Sequence, residues 1–79
     1  MRQWLKEEYP DLYVLDGFDE AIIGVVERIN TQAVCYSEKK IMEILMSEGL
    51  SEEDAREHFS INVAGSYIGE HTPFILYDE

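Results

Sequence analysis

Basic residues are scarce in this chain of 79 residues. Six Lys and Arg stand against 17 Asp and Glu, which gives a formal net charge of -11. A field of that sign repels nucleic acid and anionic membranes, and it attracts basic protein surfaces. The sequence therefore excludes direct binding to nucleic acid or membrane, and we expect a protein partner with a basic surface.

Cysteine and long apolar runs are also lacking. Cys35 is the only cysteine, so the chain forms no internal disulfide, which is typical of a reducing cytoplasm. The longest apolar runs are too short to span a bilayer. Residues 1–10 carry charges where a signal peptide needs an apolar segment. We expect a cytoplasmic protein.

Motifs for catalysis and metal binding are missing as well. Cys35 would need His58 or His71 beside it in space to act as a nucleophile, and its apolar run Ala33–Tyr36 is typical of a buried cysteine. The two histidines lack the closely spaced second ligand of a zinc site. We expect no enzyme activity, no metal and no cofactor.

The apolar content is nevertheless sufficient for one folded domain. Hydrophobic residues make up 46% of the chain, which is more than a disordered acidic tail contains. We predict a single domain over 1–79, with residues 1–11 as a loosely packed lead-in. The order β-α-β-α-α-β predicts a small α+β fold, in which about three helices cover one face of two or three short strands.

The first half of that order depends on apolar spacing. Short apolar runs predict strands at 12–15, 33–36 and 74–77. Apolar residues at helical spacing predict a helix over 18–29, with Asp16 and Asp19 near its N-terminus. Together with Glu20 these acids do not follow the ligand spacing of a calcium loop, so we interpret them as caps.

Capping signals define the second half. Ser37 and Ser51 predict the starts of helices at Glu38 and Glu52, and Gly49 is typical of the left-handed residue that ends a helix. We predict that the last helix runs to about Asn62, with an extension to Tyr67. The alternation of apolar residues from 59 to 63 also fits a strand.

The main candidate site is the acidic cluster at the start of that last helix. Its members are Glu52, Glu53, Asp54 and Glu57. Glu53 and Glu57 are like charges one turn apart, which costs a few tenths of a kcal/mol, about 0.2–0.5, and suggests a use beyond folding. The alternative is ordinary capping on a solvated helix face.

A second candidate is the loop that contains Glu70 and His71. Gly69 and Pro73 flank it, and such loops hold polar groups for binding. Glu70 and the nearby Tyr67 are candidate partner-binding residues, because tyrosine is a favoured interface anchor. The other aromatics, and the methionines at 42 and 46, suit the core as well as an interface.

A family resemblance covers residues 18–76. The blocks that carry it are Phe18–Val25, Ala33–Tyr36, Lys40–Met46, Gly49–Ala55, Phe59–Gly65 and Gly69–Pro73. In their order they resemble a family of short uncharacterised proteins encoded by tailed bacteriophages and prophages. The resemblance implies an accessory protein in the bacterial host cytoplasm, and it transfers no catalytic residue.

The resemblance and the charge together give the function that we predict. Small phage accessory proteins often inhibit host machinery, and anti-CRISPR and other counter-defence proteins are among them. A surface of spaced carboxylates can occupy a basic groove as a DNA mimic. We therefore predict a protein that binds and inhibits a nucleic-acid-binding host defence component.

The alternative is a small-molecule protein, such as a dimeric sponge for a signalling nucleotide. Phosphate groups would need Lys39, Lys40 and the helix N-terminus near Ser37. The overall charge of -11 opposes anionic ligands, so we rank this hypothesis second.

Overall fold

The α+β architecture predicted from the sequence is confirmed. The computed structural model describes residues 2–63 and 71–78. In chain order its elements are helix α1 (Arg2–Glu8), a 3-10 turn (Asp19–Ala21), strands β1 (Ile22–Arg28) and β2 (Thr31–Ser37), helices α2 (Glu38–Ser47) and α3 (Glu52–His58), a π-helical turn (Phe59–Val63) and strand β3 (Phe74–Leu76).

Strands β1 and β2 form an antiparallel hairpin, so the predicted helix over 18–29 is wrong. The pairing runs from Ile22↔Tyr36 to Arg28↔Thr31, with a bulge between Ile22 and Gly24. Four β-branched residues within β1 favour the extended backbone. Asn30 closes the turn at φ 62°, a conformation that Asn tolerates better than most residues.

The acids before β1 do not cap a helix either. Phe18 occupies the N-cap position of the 3-10 turn and makes no side-chain capping bond, while Asp19 lies in the turn itself. Gly17, just before this turn, has φ 86°, a backbone conformation that glycine adopts without steric cost.

Strand β3 lies beside β2 in parallel and completes a three-stranded sheet of order β1-β2-β3. Its residues pair as Cys35↔Phe74, Tyr36↔Ile75 and Ser37↔Leu76. The strands predicted at 33–36 and 74–77 are therefore confirmed. Because parallel neighbours need a long crossover, both later helices lie between β2 and β3.

The core lies on one face of the sheet. Ile22, Val34 and Tyr36 contribute to it from the strands, and the helices and turns add Leu5, Ala21, Ile41, Met42, Leu45, Ala55, Phe59 and Val63. Alternate residues of a strand point to opposite faces, so Cys35 and its partner Phe74 belong to the other face.

The segment 12–15, predicted as a strand, forms an irregular connection within the described part of the chain. A hydrogen bond attaches its backbone to the core, in which the Leu15 N–H donates to the Tyr36 hydroxyl at 2.7 Å. Within the predicted lead-in 1–11, α1 forms a helix whose Leu5 is 2% exposed.

The capping predictions for α2 and α3 are confirmed. The Ser37 hydroxyl accepts from Lys40 N–H, and the Ser51 hydroxyl accepts from Asp54 N–H, both at 3.1 Å. Gly49 ends α2 at φ 103°. The last helix continues beyond α3 as the π-helical turn to Val63, and the predicted extension to Tyr67 lies outside the described residues.

The Tyr36 hydroxyl gives a first test of this packing. We expect Tyr36→Phe to lower the free energy of unfolding by about 1 kcal/mol, because it removes a partner of a partly buried N–H. Urea unfolding followed by circular dichroism measures the change. Tyr13→Phe, at an exposed tyrosine, is the matched control, and equal stability of the two variants would contradict the assignment.

Candidate functional site

The acidic cluster lies on α3 and is open to solvent. Glu52, Glu53, Asp54 and Glu57 are all exposed. Together with Arg56 and Ser60, the three glutamates line a shallow depression of about 580 Å³. The cap at Ser51 fixes where the helix begins and so fixes the positions of all four carboxylates.

Arg56 lies among these acids but makes its ion pair elsewhere. Its Nη1 is 2.7 Å from Oε2 of Glu38, in the first turn of α2. The Glu38 side chain is only 10% exposed, whereas that of Arg56 is 54% exposed. The pair therefore joins α2 to α3 and leaves the carboxylates of α3 on the outer surface. Sequence reasoning missed this contact.

The second candidate can be placed only in part. Glu70 and Tyr67 lie outside the described residues. His71 is described, and its Nδ1 lies 2.8 Å from the Gln32 backbone oxygen, where a protonated Nδ1 donates to that carbonyl. This bond attaches the turn at His71, which precedes β3, to Gln32 near the start of β2.

A second acidic depression, which no sequence pattern predicts, lies between the 3-10 turn and α2. Two adjoining hollows of about 380 and 310 Å³ share Glu20, Ile44 and Ser47. Asp19 lines one hollow and Glu43 the other, and the basic residue Lys40 lies beside Glu43. No sequence pattern links the turn to α2, so only the fold brings these acids together.

The N-terminus of α2, the candidate phosphate site, is occupied by the chain's own carboxylate. Asp78 Oδ2 accepts from the Ser37 hydroxyl at 2.7 Å, and Oδ1 accepts from Lys39 N–H at 3.1 Å. The hydrogen bond from Ser37 and then that from Lys39 lower the pKa of Asp78. A carboxylate suits a helix N-terminus, and its negative charge there disfavours a second anion.

Cys35 and the histidines are not brought together as a catalytic pair. Burial raises the pKa of the Cys35 thiol, which disfavours the nucleophilic thiolate. His71 contacts the Gln32 carbonyl, and His58 Nδ1 lies 3.4 Å from the side-chain nitrogen of Asn62.

The large apolar residues divide between core and surface. Tyr36 and Met42 are buried, whereas Trp4, Tyr13, Met46 and Tyr77 are exposed. Ile61, on the π-helical turn, is 64% exposed and follows Glu57 by four residues. An exposed isoleucine therefore lies close in sequence to the acidic cluster, a point that sequence reasoning did not single out.

A metal-binding cluster and a membrane-spanning helix are both absent from residues 2–63 and 71–78. No group of three or more His, Cys, Asp or Glu side chains is arranged to hold a metal ion there. No helix in this part of the chain has the length and apolar character needed to cross a membrane.

Comparison of the chain with protein-family models, with curated proteins and with solved structures finds no match to any of them. The resemblance to phage proteins thus stays a prediction.

The Asp78 carboxylate generates a pH-dependent prediction. Its pKa is lowered in the folded chain, so it adds stability above the pKa of the unfolded chain and loses that contribution as pH falls through the folded pKa. We expect Asp78→Asn to lower the free energy of unfolding at pH 7. The difference from the parent chain should shrink from about pH 4 downward and disappear below the lowered pKa of Asp78.

Urea unfolding at a series of pH values measures this effect. Asp11→Asn, at an exposed residue with the same change of charge, is the matched control. A stability loss that is equal for both variants, or that persists in acid, would show that the Asp78 bonds do not stabilise the fold.

Proposed function

We propose that this protein is a small acidic accessory protein of phage type that binds and inhibits a host protein. Its partner presents a basic surface, and a nucleic-acid-binding component of bacterial defence, such as a CRISPR effector, fits that description. The α3 surface mimics the charge of nucleic acid. The chain acts in the bacterial host cytoplasm and needs neither metal nor cofactor.

The observation that carries the proposal is the charge density of α3. Residues 52–57 span roughly 9 Å of helix at about 1.5 Å per residue. Four exposed carboxylates over that length give about one charge per 2 Å, and duplex DNA carries one per about 1.7 Å of its axis. A basic groove shaped for nucleic acid meets a comparable field here.

The position of Arg56 supports the same proposal. A guanidinium in the middle of four acids would lower their combined charge if it paired with them. Instead Arg56 pairs with Glu38 of α2, so the negative charge of the cluster is retained. The nearby exposed Ile61 adds an apolar contact that a charged surface alone would lack.

The signalling-nucleotide alternative has less support. Its phosphate groups would use the N-terminus of α2, where Asp78 already accepts from the Ser37 hydroxyl and from Lys39 N–H. The hollows beside α2 are lined by Asp19, Glu20 and Glu43, and carboxylates repel phosphates. Binding of a basic protein is therefore the function that we propose.

Salt dependence tests the proposal. The chain, coupled to beads, is exposed to bacterial lysate at low and high salt, and captured proteins are identified by mass spectrometry. The affinity of the purified partner is then measured. We expect it to fall steeply with salt, because exposed charges are screened, and the partner's nucleic-acid-dependent activity to be inhibited.

A charge variant locates the surface. Glu53→Gln with Glu57→Gln is expected to weaken binding about threefold to tenfold, the size of two exposed ion pairs. Glu8→Gln with Asp11→Asn makes the same change of charge at exposed residues away from α3. Salt-independent affinity would overturn the charge mimicry, and equal effects of the two double variants would overturn the assignment to α3.

A further inference from the structure

Arg56 has two acidic neighbours on its own helix. Glu52 is four residues before it and Glu53 three residues before it. A glutamate four residues N-terminal to a basic residue is the favourable orientation for a helix-surface ion pair. On an isolated α3, Arg56 would therefore pair with Glu52 and neutralise part of the cluster.

The fold supplies a stronger competitor for this guanidinium. Glu38 lies 18 residues away in sequence, and its carboxylate is almost entirely withdrawn from solvent. A carboxylate in such surroundings needs a partner far more than an exposed one does, because desolvation penalises its charge. The 2.7 Å contact with Arg56 satisfies it.

We infer that Glu38 is a positioning residue, which holds Arg56 at the α2–α3 junction and so sets the negative charge of the α3 surface. The inference rests on the proposed function for its biological use, but the charge effect itself does not. With Glu38 in place, four carboxylates on α3 remain uncompensated. Without it, Arg56 returns to Glu52 and neutralises one of them.

The position of the guanidinium is tested first. In the full-length chain labelled with ¹⁵N and ¹³C, nuclear Overhauser contacts place the Arg56 side chain beside α2 in the parent protein. We expect Glu38→Gln to move these contacts to the side chain of Glu52. Circular dichroism verifies that the variant is folded, and Arg56 contacts that remain with α2 would overturn the inference.

The charge of the surface is tested second, with decalysine as the basic probe. Glu38→Gln removes one negative charge from the net -11, so its matched control is Glu8→Gln at an exposed site on α1. We expect Glu38→Gln to weaken binding about twofold more than the control, the size of one helix-surface ion pair.

A double variant completes the cycle. Glu38→Gln with Arg56→Gln keeps the net charge at -11, because it removes one charge of each sign, and it leaves no guanidinium to neutralise α3. We expect its affinity for decalysine to return to that of the parent chain. If the double variant binds as weakly as Glu38→Gln, the loss came from Glu38 itself and the inference fails.

The two proposals fail in different ways. If the Arg56 contacts move and decalysine binding weakens, while the affinity for a captured host partner does not change, the positioning role of Glu38 stands and the proposed binding surface is wrong. If the Arg56 contacts do not move, the positioning role is wrong whatever the partner measurements show.

Discussion

The hydroxyl of Ser37 is the contact on which the rest of the fold depends. The residue is 1% exposed and lies where β2 ends and α2 begins. Its oxygen accepts from Lys40 N–H, and its O–H donates to the Asp78 carboxylate, so one side chain starts the helix and anchors the chain beyond β3. The adjacent Glu38 reaches Arg56 on α3. Ser37 and Glu38 together therefore connect β2, α2, α3 and the chain segment that follows β3.

The acidic residues at this junction differ in role from those of α3. Asp78 and Glu38 have defined partners and act within the fold. The acids of α3 are exposed at the surface, where like charges repel one another and oppose compaction. A folded chain of net charge -11 is stabilised when a basic partner binds, since binding to the native state alone shifts the folding equilibrium. Charge and stability are linked in this way at one surface.

Local signals predicted more of this structure than long-range ones did. The caps at Ser37 and Ser51 and the left-handed Gly49 involve neighbours a few residues apart, so the sequence is sufficient to find them. The segment 18–29 has the apolar spacing of a helix, but its β-branched residues and its pairing with β2 decide the outcome. The acidic cluster of α3 was found from composition. The Glu38–Arg56 ion pair joins residues 18 positions apart, and the Ser37–Asp78 hydrogen bond joins residues 41 positions apart. No local sequence pattern encodes such contacts.

The two strand pairings of the sheet differ in the length of chain between their partners, and this difference predicts the order in which they form. The β1–β2 hairpin closes over a two-residue turn, whereas Cys35 and Phe74 are 39 residues apart in sequence, with α2 and α3 between them. Loop-closure entropy makes the distant pairing the slower event, since it must be offset before the contacts form. We therefore expect the hairpin to form first and the edge at β3 to be the last part of the sheet to assemble. Until then β2 has an unpaired edge, which is the period when the chain is most open to pairing with a strand of another molecule.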